Sequence, residues 1–350
     1  MRFRRHRLAL ISTAVIGVFY FVVLFPNFLA IHDPRTTVPT RVFVPPQRVH
    51  FFDGIRPGPY VYGLNVSRDP DTLAQVFETD KSEKHSIRFF VRGFEYKLLG
   101  LFKTDIHLMG LDQEVLSFYP IGTDRLGRDM WSRLMVGTRI SMSIGLVGVM
   151  ISLVLGVLLG GISGYRGGYI DMAIQRLIEF LRSIPTIPLW LALGAAVPQD
   201  WSIIRVYFAI TVIISLIGWS SLAREVRGRF LALREEDFVV AARLYGTGQF
   251  RIILRHMLPS FISHIIATTT LAVPAIIIAE TSLSFLGLGM RQPAISWGVL
   301  LHEAQNLQAV GFAPWVLIPG SLVILAVLAF NFMGDGLRDA ADPYATHGQG

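Results

Sequence analysis

Few side chains in this sequence stand at spacings that could do covalent chemistry. Its nine histidines are scattered. None forms a His-Glu-x-x-His pair that would hold zinc beside a general base, and no Gly-x-Ser-x-Gly elbow presents a serine nucleophile. Cysteine is absent, which removes thiolate nucleophiles, thiolate metal sites and disulfides. No His/Cys/Asp cluster appears at metal-ligand spacing. The phosphate loop Gly-x-x-x-x-Gly-Lys-Ser/Thr is also missing, and the four lysines, Lys81, Lys84, Lys97 and Lys103, all fall in one segment. The expectation is a non-catalytic chain with no metal and no cofactor of its own.

What remains is a handful of charges within or beside apolar stretches. Glu179 and Arg182 stand one helical turn apart. They read as an ion pair at a membrane edge with the arginine stem snorkelling, or as a charged pair lining a translocation path. Glu280 follows Ile276-Ile277-Ile278-Ala279 and is a candidate for the path or an outer gate, either as a paired structural group or as a proton relay. His264 reads as a structural imidazole. An ion-driven secondary transporter would need titratable groups of this kind near mid-membrane, and that is the alternative function.

The elements that position these groups are apolar. The 350 residues are 52% hydrophobic and only 16% charged, with mean hydropathy +0.50, against about 25% charged in a soluble domain. A helix needs about 20 apolar residues to cross a bilayer. Ile140–Gly164, Val206–Ala223, Pro259–Ala279 and Ala309–Met333 qualify. The run Leu8–Phe25 follows the basic head Met1–Arg7 and is too long, with no small-residue cleavage site after it, to be a signal peptide; it reads as an uncleaved first span. A weaker sixth candidate covers Met172–Val197, its uncharged part beginning at Ser183.

Arginine placement sets the orientation. Arg224, Arg227, Arg229, Arg234, Arg243, Arg251 and Arg255 crowd between spans four and five, while Pro198–Ile204 has no Lys or Arg and Thr281–Gln308 has only Arg291. Both termini are therefore expected in the cytoplasm, and the sequence pI near 9.9 reflects retained arginines rather than a nucleic-acid partner. Gly156, Gly160 and Gly164 form a smooth stripe for helix packing. Residues 1–30 thus comprise the N-terminus and first span. Residues 31–138 form a small extracytoplasmic lobe with its pre-span segment. Residues 139–335 make a five-span core, and 336–350 a cytoplasmic tail. Within the lobe, Ser86–Val91 and Gly93–Gly100 suggest small strands or hairpins around Arg92-Gly93, and the prolines from Pro34 to Pro70 suggest an extended, turn-rich wrap.

The cytoplasmic loop Arg224–Pro259 reads as helix, glycine turn, helix. Phe238, Val239, Ala242 and Tyr245 recur at helical spacing after Glu235-Glu236-Asp237, whose charges suit a helix N-terminus. Gly246-Thr247-Gly248 supplies the stop, and a second helical stretch, Gln249–Met257, runs to Pro259. The small Ala241-Ala242 pair would admit a partner surface closely.

Val240-Ala241-Ala242, then Gly246 after three residues and His256-Met257-Leu258-Pro259 after nine more, resembles the loop signature of ABC-importer permeases. In that family the first position is Glu and the position of His256 is Ile. The resemblance implies a coupling helix that docks on an ATP-hydrolysing subunit, with Asp237, Phe238, Ala241, Ala242, Tyr245, Gly246, Leu258 and Pro259 as coupling residues. At Val240 the usual glutamate is missing, and Glu235, Glu236 or Asp237 would stand in. Gly122-Thr123-Asp124-Arg125-Leu126-Gly127-Arg128-Asp129 with Arg133-Leu134 and Gly137–Ser141, Leu283–Gly289 with Ser296-Trp297-Gly298, and Gly334–Asp339 with Asp342-Pro343 are similar to the dipeptide/oligopeptide/nickel permeases, particularly their second, C-type subunit.

That resemblance implies an all-α polytopic fold with six transmembrane helices of the type I ABC-importer permease kind. It implies a bacterial inner-membrane subunit that imports peptides or peptide-like solutes. The partners would be a second homologous permease, two ATPase subunits holding ATP and Mg, an extracytoplasmic substrate-binding protein and membrane lipid, with no nucleic acid.

Overall fold

The computed structural model describes residues 6–53, 56–68, 75–111 and 118–341. The head Met1–Arg5 and the Asp342-Pro343 pair lie outside the described residues. Among those described, five helical runs are long and apolar enough to cross a membrane, and a bent pair supplies a sixth if counted as one span.

The first span is α1 (Arg7–Leu24), followed at once by the short α2 (Pro26–Leu29). The second is α3 (Met130–Arg166), which begins ten residues before the apolar run. The backbone amides of Trp131 and Ser132 donate to the Asp129 carboxylate at 3.3 and 2.9 Å, so an N-cap sets the start. The weak candidate is α4 (Gly168–Ser183) and α5 (Thr186–Ala195), bent by 84°. The break falls at Ile184-Pro185, where proline removes a donor and pushes its predecessor out of the helical region. Next comes α6 (Ile203–Leu233), capped by Ser202 and longer than its apolar core, so that the first ten residues of the expected loop are helical.

After α6 come α7 (Asp237–Leu244) and α8 (Gln249–Arg251). A wide π turn over Ile252–Met257 and a 3-10 turn over Leu258–Phe261 lead into α9 (Ile262–Phe285). Pro259 lacks the amide that an unbroken α-helix needs, and the chain adjusts its hydrogen-bond register around it. The last span is α12 (Ile318–Ala341), reached through α10 (Trp297–Leu301) and α11 (Leu307–Phe312). Its expected start at Ala309 falls instead in these short turns, because Pro314 interrupts the run.

The lobe is a sheet meander: β1 (His50–Asp53), β2 (Arg56–Arg68), β3 (Gln75–Leu98) and β4 (Phe102–Leu111), antiparallel throughout in the order β1-β2-β3-β4. The two short stretches at Ser86–Val91 and Gly93–Gly100 fall on one long strand that runs without a break to Leu98, with Leu99-Gly100 in the hairpin turn that follows. It pairs with β2 through its first half and with β4 through its second, slipping register between Arg92 and Tyr96. A side chain at Gly93 would meet the buried His107 ring at 2.7 Å, so the glycine marks ring packing within the strand, not a break. Val61, Ile87 and Phe118 form the lobe's small core. Pro57 and Pro59 lie within β2, and residues 31–38 carry the turn-rich wrap.

The chain divides into two compact units. One gathers Ser143–Met290 with the chain up to Gly17 and from Val323; the other combines Val18–Met142 with Arg291–Leu322.

Candidate functional site

In the first unit, α7 has two unlike sides. Val239 and Ala242 are buried in one cluster with Leu222, Val226, Phe230, Ile252, Ile253 and Met257. Leu258 packs against its edge, and Pro259 is exposed. On the other side Asp237, Phe238, Val240 and Ala241 face outward, and Leu244 and Tyr245 are 84% and 89% exposed. Ala242 therefore belongs to the bundle core and not to a partner-facing Ala241-Ala242 pair. An eight-residue helix shows only two turns, and the buried cluster decides which of its alanines points inward.

Gly246 ends the helix in the left-handed region, φ 72°. The Gly246 amide donates to the Arg243 carbonyl at 3.0 Å and the Thr247 amide to the Ala242 carbonyl at 3.1 Å, which is a Schellman stop. Nothing crowds Gly246 within 4 Å, so backbone angle, not space, requires the glycine. Glu235 pairs with Arg234 at 2.9 Å. The Arg243 guanidinium sits over the Tyr165 ring, 5.3 Å from its centroid. Asp237 lies one turn before Val240 and is exposed, the nearest carboxylate on that helix to the position where the family carries glutamate.

The glycine stripe of α3 packs on α6. A Cβ on Gly160 would come within 2.4 Å of the Ala223 carbonyl oxygen, and one on Gly164 within 2.7 Å of the Arg227 carbonyl oxygen; at Gly156 the neighbour is Leu222 at 2.9 Å. Backbone-to-backbone contact of this kind needs glycine. Below the stripe, Arg227 makes a bidentate pair with Asp171, at 2.5 and 2.6 Å, and the Ser163 hydroxyl donates to the same carboxylate. This ties α3, α4 and α6 together. Asp171 and Arg227 are 56 residues apart, and nothing in their spacing announces the pair.

The Glu179–Arg182 pair does not form. Glu179 takes Arg176 at 2.8 Å and Arg182 donates to the Ser221 hydroxyl at 3.3 Å; Arg176 is also one turn from Glu179, on the other side. Glu280 is buried within α9 and accepts from Ser284 at 2.9 Å, while the Met290 amide donates to that serine. His264 faces Glu225 at 3.4 Å.

The second unit contains a cluster of buried charge built largely from the segment Gly122–Leu134. Arg128 pairs with Asp124 at 2.7 Å and with Glu303 at 2.8 Å; Arg133 pairs with Asp124 and lies 3.6 Å from Glu303. All four are buried, two charges of each sign. Asp124 also accepts from the backbone amides of Leu126 and Arg128. Burial, reinforced by the Asp124 charge, pushes the Glu303 carboxyl above its ordinary value against the pull of Arg133 and Arg128. The i,i+4 spacing of Asp124 and Arg128 was a visible signal; Glu303, 175 residues on, had none. Beside this knot a cavity of about 730 Å³ is lined in part by Arg125, His302, Glu303, Asn306 and Phe312.

Residues 156–346 match the family described as binding-protein-dependent transport system inner membrane component. The chain belongs to that family. Residues 1–46 of the permease match the N-terminal transmembrane domain of oligopeptide transport permease C. The permease is 39% identical over 241 residues to the oligopeptide transport system permease protein OppC of Haemophilus influenzae, covering 69% of this chain and 75% of that protein. It is 39% identical over 222 residues to the dipeptide transport system permease protein DppC of Bacillus subtilis, covering 63% and 68%. A structure of the inward-facing methionine transporter MetNI aligns with 60% of this chain and 96% of that one, at 18% identity and a TM-score of 0.43. The family and the apolar helices make the permease a membrane-embedded component of a binding-protein-dependent transport system, mainly helical, with a sheet lobe between its first two spans.

Proposed function

We propose that this permease forms half of a translocation path for peptides or peptide-like solutes, and that α7 couples the path to a separate ATPase subunit. The observation that carries the reading is the two-sided α7. Phe238, Ala241, Leu244 and Tyr245 offer an apolar surface, while Val239 and Ala242 lock the same helix into the bundle. An exposed apolar patch on a well-anchored element is a docking surface, and the rigid packing behind it transmits displacement to α3, α6 and α9. Peptide cargo is supported by the OppC and DppC relatives.

In this reading a second homologous permease completes the path and two ATPase subunits hold ATP and Mg. An extracytoplasmic binding protein delivers solute to the lobe and the outer loop Thr281–Gln308. Both termini and α7 face the cytoplasm. Glu179, Arg182 and Glu280 are the charged candidates for the path or its outer gate. ATP binding drives the ATPases together and favours one of two permease states, and the coupling equals the difference in affinity between those states.

The test is Gly246→Val in the reconstituted transporter. A β-branched residue opposes the left-handed turn, so transport should be lost and ATP hydrolysis should no longer respond to loaded binding protein, with membrane insertion unchanged. Normal substrate-stimulated turnover would refute the coupling assignment. Uptake that ignores ATP and collapses with the proton gradient would instead establish the ion-driven alternative.

A further inference from the structure

The β3–β4 hairpin ends in a turn of unusual chemistry. Leu99 and Gly100 both have positive φ, 51° and 76°, and the Leu101 amide donates to the Leu98 carbonyl at 3.0 Å. Both central residues of this tight turn are left-handed, where Asn, Asp and Gly are the residues that fit without strain. Leucine at the first of these positions is strained. The strain presents an apolar side chain to the outside: Leu99 is half exposed, Leu101 75% and Phe102 67% exposed.

One strand position behind the tip, Lys97 and Lys103 stand directly opposite each other. Like charges in that arrangement repel, and among the described residues no carboxylate lies within ion-pair distance of either. Leu98 and Phe102 are the next cross-strand pair and occupy the other face of the pleat. The tip is therefore amphipathic, with an apolar face and turn backed by two cations.

Its root lies at the edge of the membrane. α2 follows the first span with one residue between, so residues 26–29 sit where the apolar run ends. The hairpin grips that point: His107 Nδ1 is 2.8 Å from the Asn27 carbonyl oxygen, and the exposed Phe90 ring lies tilted against Phe28 with centroids 6.2 Å apart. Aromatic rings at this level suit the headgroup region.

We infer that the Leu99–Phe102 tip inserts into the bilayer leaflet at which the first span ends, with Lys97 and Lys103 on anionic lipid phosphates. Apolar groups flanked by lysine at an interface behave in this way, and phosphate relieves a repulsion that no ion pair among the described residues relieves. The hairpin then serves as a second anchor for the lobe, independent of the coupling reading.

The lack of cysteine allows a direct test. Leu101→Cys would carry the sole thiol of the chain and can take an environment-sensitive dye, with Glu78→Cys on the distal part of β3 as reference. The full chain is placed in nanodiscs of phosphatidylethanolamine and phosphatidylglycerol. Spin-labelled lipid should quench the Leu101 dye several-fold more than the Glu78 dye, and aqueous acrylamide should do the reverse. Adding Lys97→Glu and Lys103→Glu keeps a like-charged pair but should abolish the lipid quenching, and pure phosphatidylcholine should weaken it. Equal acrylamide access at both sites would overturn the inference. So would shielding of the Leu101 dye from both quenchers once the partner subunits are present, which would mean that a protein covers the tip. Phe102→Cys repeats the measurement should Leu101→Cys fold poorly.

Discussion

The segment Gly122–Arg133 and the loop Arg234–Gly248 are both rich in charge, and they use it in opposite ways. The first buries Asp124, Arg128 and Arg133 with Glu303. The second leaves Glu235, Glu236 and Asp237 in solvent and turns Leu244 and Tyr245 outward beside them. A buried network resists change because removing any member strands the others in low dielectric. An exposed apolar surface costs the fold little when altered, yet it is what a partner would feel. The contrast separates residues that hold the permease together from residues that would connect it to something else.

The largest expected effect tests the buried side. Asp124→Ala leaves Arg128 and Arg133 sharing only Glu303, and removing one partner of a buried ion pair costs about 3–5 kcal/mol. Thermal unfolding in detergent should drop sharply or the variant should fail to accumulate. Pairing Asp124→Ala with Arg133→Met removes one charge of each sign and should recover much of the loss. An Asp124→Ala permease as stable as the parent would mean that the four charges are independent.

Next comes the glycine stripe, which holds helices together without any charge. Gly160→Ala places a Cβ at 2.4 Å from the Ala223 carbonyl oxygen, so α3 and α6 must separate, at a cost of about 1–3 kcal/mol for overpacking. Gly228→Ala on α6 meets nothing within 4 Å and should be neutral or stabilising by up to about 1 kcal/mol, the helix-propensity difference. Equal melting temperatures for the two variants would break the assignment of the stripe to close packing.

How much of this contrast could be read from the sequence depends on distance along the chain. Run length located the spans, since a helix satisfies its own backbone, and Gly246 marked the loop's turn because only a left-handed residue serves there. Between near neighbours, spacing leaves the choice of partner open. Glu179 had arginines one turn away on both sides, and packing chose Arg176. Ala241 and Ala242 looked alike until the buried cluster took Ala242. The long-range pairs, Asp171 with Arg227 and Arg128 with Glu303, leave no local trace, because either partner alone is an ordinary charged residue near a membrane edge. In the lobe's long strand Gly93 reads as a break, yet the glycine makes room for the His107 ring.

The smallest effect on stability should come from the surface with the largest proposed role. Leu244→Ala with Tyr245→Ala truncates two side chains that are 84% and 89% exposed, and surface changes of this kind stay within about 0.5 kcal/mol. The melting temperature should therefore hold while transport falls steeply, since an exposed aromatic at a docking surface can be an anchor for its partner. The loss should appear as weaker co-purification with the ATPase subunit, or as ATP hydrolysis that proceeds without transport. Val239→Ala on the same helix should do the reverse, lowering stability by about 0.5–1.5 kcal/mol or somewhat more through a cavity while leaving the outward face chemically intact. If the two variants lost stability and transport in the same proportion, α7 would be one more packed turn of the bundle. A clean split between them would locate the coupling contact on Leu244 and Tyr245.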